Sequence, residues 1–90
     1  MVGPQVNSHG PYFYTTVENQ LRSDGSYGLL FDHYYEIEGQ APALARAQAK
    51  YHTICAAAAI SDIPYHAAYL LRSDGSVLEE GIWDRRADEE

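Results

Sequence analysis

The sequence predicts an α+β domain of the order ββαββ, a four-stranded, mainly antiparallel sheet with one helix packed on one face. Three observations support this fold class. Segments of alternating apolar and polar residues occur in two pairs, a single segment of helical periodicity separates the pairs, and the hexapeptide LRSDGS joins the members of each pair, at residues 21–26 and 71–76. Identity between the pairs does not extend along the strands, so the chain is two hairpins that share a turn rather than a repeat array.

The first hairpin is predicted over residues 12–22 and 27–38, where side chains alternate in character. Its Ser-Asp-Gly turn allows two registers. A two-residue turn would place Val17 opposite an aspartate, whereas a three-residue turn with Gly25 in a left-handed conformation pairs Val17 with Phe31. Because the second register keeps one face of the hairpin apolar, we expect that register.

The helix is predicted over residues 42–60, with Pro42 at the first helical position, where its missing N–H has no cost. Apolar or small side chains recur every three or four residues and form one stripe: Leu44, Ala47, Tyr51, Ile54, Cys55 and Ala58. The last turn, residues 56–60, has no polar face, which is typical of a helix end covered on more than one side. A second subunit could provide that cover.

The second hairpin is predicted over residues 63–72 and 77–83, and neither of its faces is polar. We assign one face to Tyr65, Ala67, Tyr69, Leu71, Val77 and Trp83, and the other to His66, Ala68, Leu70, Leu78 and Ile82. A single helix can cover only one face of a four-stranded sheet. We therefore expect a homo-oligomer, most simply a two-fold dimer, formed through the second face of this hairpin, an edge strand or the alanine-rich helix end.

Composition limits the classes of protein to consider. We expect a flexible leader at residues 1–10, a single domain at residues 11–86 and an acidic tail at residues 87–90. The net charge is −7 with only six Lys and Arg residues, which argues against direct binding to nucleic acid. The longest apolar run is too short to span a membrane, no secretion signal is recognisable, and the chain has one cysteine. These features favour a cytoplasmic protein.

The sequence predicts no catalytic, metal or cofactor site. His52 and Cys55 are three residues apart on the helix, but a nucleophilic pair also needs an orienting group and an oxyanion donor. The four histidines are scattered, without the close spacing of a zinc site. No nucleotide-binding or metalloprotease motif is present.

Arginines next to aromatic residues at the strand ends are the best candidates for binding. We predict a site for a ligand or partner protein at Tyr65, His66, Tyr69, Arg72, Trp83, Asp84, Arg85 and Arg86. Arginine beside aromatic rings is suited to gripping a phosphate and stacking a base, and the same composition is typical of protein–protein hot spots. The alternative is that the arginines are paired with neighbouring carboxylates and have no binding role.

The stretch YHTICAAAAISDIPYHAAYLLRSDGSVLEEGIWDRR, residues 51–86, resembles small uncharacterised proteins of phages and mobile elements of gut bacteria. The resemblance implies a phage-like origin and no particular activity. Three functions follow, in this order: a non-enzymatic acidic binding protein, such as an inhibitor of a host defence complex; a protein that sequesters a small nucleotide-like anion at a subunit interface; and a small enzyme acting through His52, Cys55 or His66.

Overall fold

A computed structural model describes residues 11–86. The elements are β1 (Tyr14–Leu21), β2 (Tyr27–Tyr34), α1 (Ala43–Ile60), β3 (Tyr65–Arg72) and β4 (Val77–Asp84). The predicted ββαββ order is confirmed. The predicted leader at residues 1–10 and acidic tail at residues 87–90 lie outside the described residues.

The four strands form one antiparallel sheet in the order β2-β1-β3-β4. The predicted register of the first hairpin is confirmed, because Val17 pairs with Phe31. Gly25 has φ 90°, a conformation that glycine adopts without strain. The turn also has backbone hydrogen bonds from Arg22 N to Ser26 O (2.9 Å) and from Gly25 N to Arg22 O (3.0 Å).

Strand β2 is shorter than predicted and ends at Tyr34. The chain after it turns towards the start of α1, where the Glu36 carboxylate accepts a hydrogen bond from the Ala43 N–H at 3.2 Å. Pro42 lies at the N-cap position rather than at the first helical position, with ψ 149°. Because Pro42 has no side-chain oxygen, a distant carboxylate supplies the capping bond that the N-cap residue usually supplies.

The second turn reproduces the first, with Gly75 at φ 92° and Arg72 N bonded to Ser76 O at 2.9 Å. The pairing of β3 with β4 has an irregularity between Leu70 and Leu71. A β-bulge adds one residue to one strand and so reverses the faces of the residues beyond it. Our assignment of the two faces of β4 was therefore wrong beyond this point: Trp83 pairs with His66, and Ile82 pairs with Ala67.

Helix α1 packs on one face of the sheet, which we call the covered face. The core consists of Ala47, Tyr51 and Ile54 from the helix with Ala68 and Leu70 from β3. This result confirms the predicted apolar stripe of the helix. Small side chains on both partners allow a close approach, and Leu70 is fully buried beneath the helix.

The last turn of α1 is only partly covered by the described chain. Ala58 is buried, whereas the side chain of Ile60 is 89% exposed. The terminal carbonyls are instead capped by Arg85, whose Nη2 donates to Ala58 O at 2.7 Å and to Ala59 O at 3.3 Å. A basic side chain at this end of a helix also interacts favourably with the helix dipole.

Candidate functional site

The face of the sheet opposite α1, which we call the open face, carries most of the exposed apolar surface. Cross-strand pairs point to the same side of a sheet, so the register assigns its residues. The open face comprises Thr15, Val17, Asn19, Leu21, Tyr27, Leu29, Phe31, His33, Tyr65, Ala67, Tyr69, Leu71, Val77, Glu80, Ile82 and Asp84. Eight large apolar side chains among the described residues are exposed, and five of them lie on this face: Tyr27, Leu29, Phe31, Val77 and Ile82.

Half of the predicted binding residues meet at one end of the open face. The hydroxyls of Tyr65 and Tyr69 lie 3.4 Å apart, and this hydrogen bond together with burial raises the pKa of Tyr69 to about 12. The guanidinium of Arg86 stacks over the Tyr65 ring at 4.9 Å and binds both carboxylate oxygens of Asp84 at 2.9 Å. Hydrogen bonds from Arg86 keep the pKa of Asp84 below its ordinary value. This cluster extends the apolar surface with a charged but locally neutral rim.

The other four predicted residues lie elsewhere. Arg85 donates Nη1 to Ile63 O at 3.1 Å in addition to capping the helix, so its guanidinium is used within the fold. Arg72 lies at the far end of β3 and donates to Ser76 Oγ at 3.1 Å in the second turn. His66 and Trp83 pair with each other on the covered face. Within one chain, therefore, the three predicted arginines do not converge on a pocket.

A hydrogen-bond chain that the sequence did not indicate passes through His66, which is 2% exposed. Its Nε2 lies 2.7 Å from Glu18 Oε2 and its Nδ1 lies 3.2 Å from Ser61 Oγ. Gln20 Nε2 also donates to Glu18 at 2.9 Å. Burial opposes ionisation of Glu18, but the hydrogen bonds from His66 and Gln20 outweigh it and lower the pKa of the carboxyl. No local pattern could have found this chain, because Glu18 lies 48 residues before His66.

The same chain contains the residue types of a Ser-His-Glu triad, but its surroundings do not favour nucleophilic catalysis. Ser61 is the C-cap residue of α1, where the negative end of the helix dipole would oppose an oxyanion. Its Oγ already accepts a hydrogen bond from the Ile63 N–H at 3.3 Å. The chain joins β1, β3 and the end of α1, and we assign it a structural role.

The thiol of Cys55 and the imidazole of His52 face different environments. Cys55 is half-buried and packs against the core, and a Cβ atom added to Gly81 would lie 3.2 Å from its Sγ. His52 is exposed, with its ring 5.3 Å from that of Tyr51. The arrangement supports a packing role for the thiol.

Within residues 11–86, no group of three or more potential ligand side chains could hold a metal ion. The single described helix does not have the length and apolar character that a membrane crossing requires. In comparisons with known proteins, no family model matches the chain, and no curated protein or solved structure was found to be similar to it.

Proposed function

We propose that the protein is a non-enzymatic binding protein that acts as a homodimer, in which two copies pack open face against open face. The observation that carries the proposal is the concentration of exposed apolar side chains on this face, where Tyr27, Leu29 and Phe31 follow one another along β2. A sheet with apolar residues on both faces is normally covered on both. Exposed apolar patches of this kind mark interaction sites.

A second copy fits the open face in area and in charge. Four strands of eight residues give a footprint of roughly 19 by 27 Å, or about 500 Å² per copy. That value approaches the lower limit for specific interfaces, about 600 Å² per partner. The chain carries a net charge of −7, but the open face carries only Glu80, Asp84 and His33 as ionisable groups besides tyrosines, and Asp84 is paired with Arg86. Face-to-face packing therefore keeps most of the like charges apart.

The outer surface of such a dimer is acidic and suits a basic site on a host protein. Together with the resemblance of residues 51–86 to proteins of phages and mobile elements, this charge supports a cytoplasmic inhibitor of a host complex, such as a defence complex. Pull-down with the immobilised dimer should recover one host protein in stoichiometric amount. Repeated failure with lysates of susceptible hosts would contradict the inhibitory role.

Sequestration of a nucleotide-like anion has less support. The Arg85 guanidinium is bonded to carbonyl groups of α1 and the following loop, and Arg72 lies at the opposite end of β3 from Tyr65. Eight residues of strand span roughly 25 Å. A nucleotide would therefore need a pocket assembled from two copies, and thermal-shift screening with nucleotides tests that possibility directly.

Dimerisation through the open face can be tested by light scattering on size-exclusion-purified variants. Phe31 and Leu30 are neighbours on β2 with exposures of 57% and 63%, but only Phe31 points to the open face. Burying the exposed part of Phe31, on the order of 100 Å², contributes about 2.5 kcal/mol per copy and twice that in a two-fold dimer. We expect Phe31→Glu to be monomeric at concentrations where the wild type and Leu30→Glu are dimeric. A monomeric wild type, or equal effects of the two substitutions, would contradict the proposed dimer.

A further inference from the structure

Strand β2 is an unprotected edge of the sheet. Among the described strands, β2 and β4 each have a neighbour on one side only. Strand β4 carries Glu79 and Glu80 and pairs with β3 through a bulge, and both features discourage the addition of another strand. Strand β2 has no charged residue before Asp32, and its apolar side chains are exposed on both faces.

The backbone of β2 has free hydrogen-bonding groups at defined positions. Arg22 N bonds to Ser26 O in the turn, and hydrogen-bonded pairs then alternate along the hairpin. The N–H and C=O groups of Gly28, Leu30 and Asp32 therefore point towards β1. The groups that point away from the sheet belong to Tyr27, Leu29, Phe31 and His33, whose side chains all lie on the open face.

The covered-face side of β2 has a groove that a long side chain can enter. The groove has a volume of about 240 Å³ and lies between β2, β1 and α1, with Leu30 and Ile54 as apolar walls and Glu18 and Asp32 as carboxylates. Asp32 is bonded to Lys50 Nζ at 3.3 Å, and both side chains are about half exposed. Exposed pairs of this type are weak, so a cation on another molecule can replace Lys50.

We infer that β2 binds an extended peptide segment of a partner protein as an additional antiparallel strand, and that this segment alternates apolar and basic side chains. The outward backbone groups give main-chain hydrogen bonds, as in other cases of strand addition. The apolar side chains of the segment lie beside Leu29 and Phe31, and a basic side chain packs its stem on Leu30 and reaches Asp32. The net charge of −7 selects against an acidic segment. The inference rests on the proposed binding function and names the class of partner.

The probe is an acetylated and amidated eight-residue peptide of alternating valine and lysine, the length of β2. Binding to the full chain is followed by ¹⁵N–¹H spectra. We expect the amide signals of residues 27–33 to shift and the outward amides to become protected from hydrogen exchange. A peptide with glutamate in place of lysine should bind at least tenfold more weakly.

Two methylated peptides test which edge of the probe is used. In antiparallel pairing, the probe residues bonded to β2 have their side chains on the open face, so they are the valines. N-methylation of the valines should therefore reduce affinity at least tenfold, whereas N-methylation of the lysines should leave it within about threefold. Equal effects of the two modifications would overturn the inference, because they would show attraction without a defined strand.

Two substitutions at Leu29 isolate the contribution of the protein backbone. Both Leu29→Ala and Leu29→Pro remove the side chain, but only Leu29→Pro removes an outward N–H, at an edge position that accepts proline. We expect Leu29→Pro to bind the probe at least tenfold more weakly than Leu29→Ala, with both variants folded by circular dichroism. If Leu29→Pro is unfolded, the methylated peptides decide the question on the wild-type chain.

Light scattering on the same samples separates this inference from the proposed dimer. A dimeric wild type that fails to bind the probe at millimolar concentration would overturn the inference alone. A monomer that binds the probe would overturn the face-to-face dimer alone. A dimer that Leu29→Pro dissociates but Phe31→Glu does not would show that β2 pairs with β2 of a second copy, and it would overturn the assignment of a foreign peptide.

Discussion

Glu18→Ala removes the carboxylate that accepts a hydrogen bond from His66, and its effect can be estimated from the structure. The bond is 2.7 Å long and His66 is almost completely buried, so the imidazole Nε2 loses its partner without gaining water. A hydrogen bond to a charged group, with the desolvation cost of the group left unpaired, is worth about 2–3 kcal/mol. For a domain of this size, that loss should lower Tm by roughly 10–20 °C.

The contribution of Glu18 depends on pH in a direction that its pKa determines. The carboxyl has a pKa below its ordinary value of 4.5 in the folded chain, so the unfolded chain binds the proton more readily. The stabilisation is therefore fully present above pH 4.5 and is lost as pH falls through the lower pKa of the folded state. Glu18→Gln keeps an acceptor oxygen but does not titrate. The stability difference between wild type and Glu18→Gln should be largest near pH 6 and should shrink towards pH 3.

Urea unfolding followed by circular dichroism at a fixed series of pH values measures both effects. Ser61→Ala and the double variant complete a cycle that tests whether the chain acts as a unit, and a coupling above about 0.5 kcal/mol would indicate that it does. A loss below 0.5 kcal/mol for Glu18→Ala, or a difference from Glu18→Gln that is constant with pH, would refute the structural role of the chain.

Two further substitutions test particular features of the fold. Arg85→Ala should cost about 1–2 kcal/mol in urea unfolding because three carbonyls lose their donor, whereas Arg86→Ala, which removes an exposed pair, should cost less than 0.5 kcal/mol; equal losses would contradict the capping role. Asn19 Oδ1 is the one buried side-chain oxygen or nitrogen of the described residues without a hydrogen-bond partner, so Asn19→Val should raise the free energy of unfolding by about 1 kcal/mol, and destabilisation would show that the amide has a partner.

The local parts of the fold were predictable, and the long-range parts were not. Alternation and the Ser-Asp-Gly turn were sufficient to predict the register that pairs Val17 with Phe31, because a shift by one residue would have mixed the two faces. The bulge between Leu70 and Leu71 has no sequence signal, and it exchanged the expected faces of Ile82 and Trp83. The roles of Glu18 and Arg85 were hidden for a similar reason, since their partners are supplied by elements far away in the chain.

Packing against the helix explains which face of the sheet remains open. The helix presents alanines at the positions that approach the sheet most closely, so the facing strands must also carry small side chains, as at Ala68 and Gly81. A side chain at Gly81 would collide with the Trp83 ring at 2.9 Å. The bulky Tyr27 and Phe31 are thereby directed to the other face, where the described chain offers no second layer. A cover for that face must therefore come from another molecule, and the repeated short turns leave the face unobstructed at both ends of the sheet.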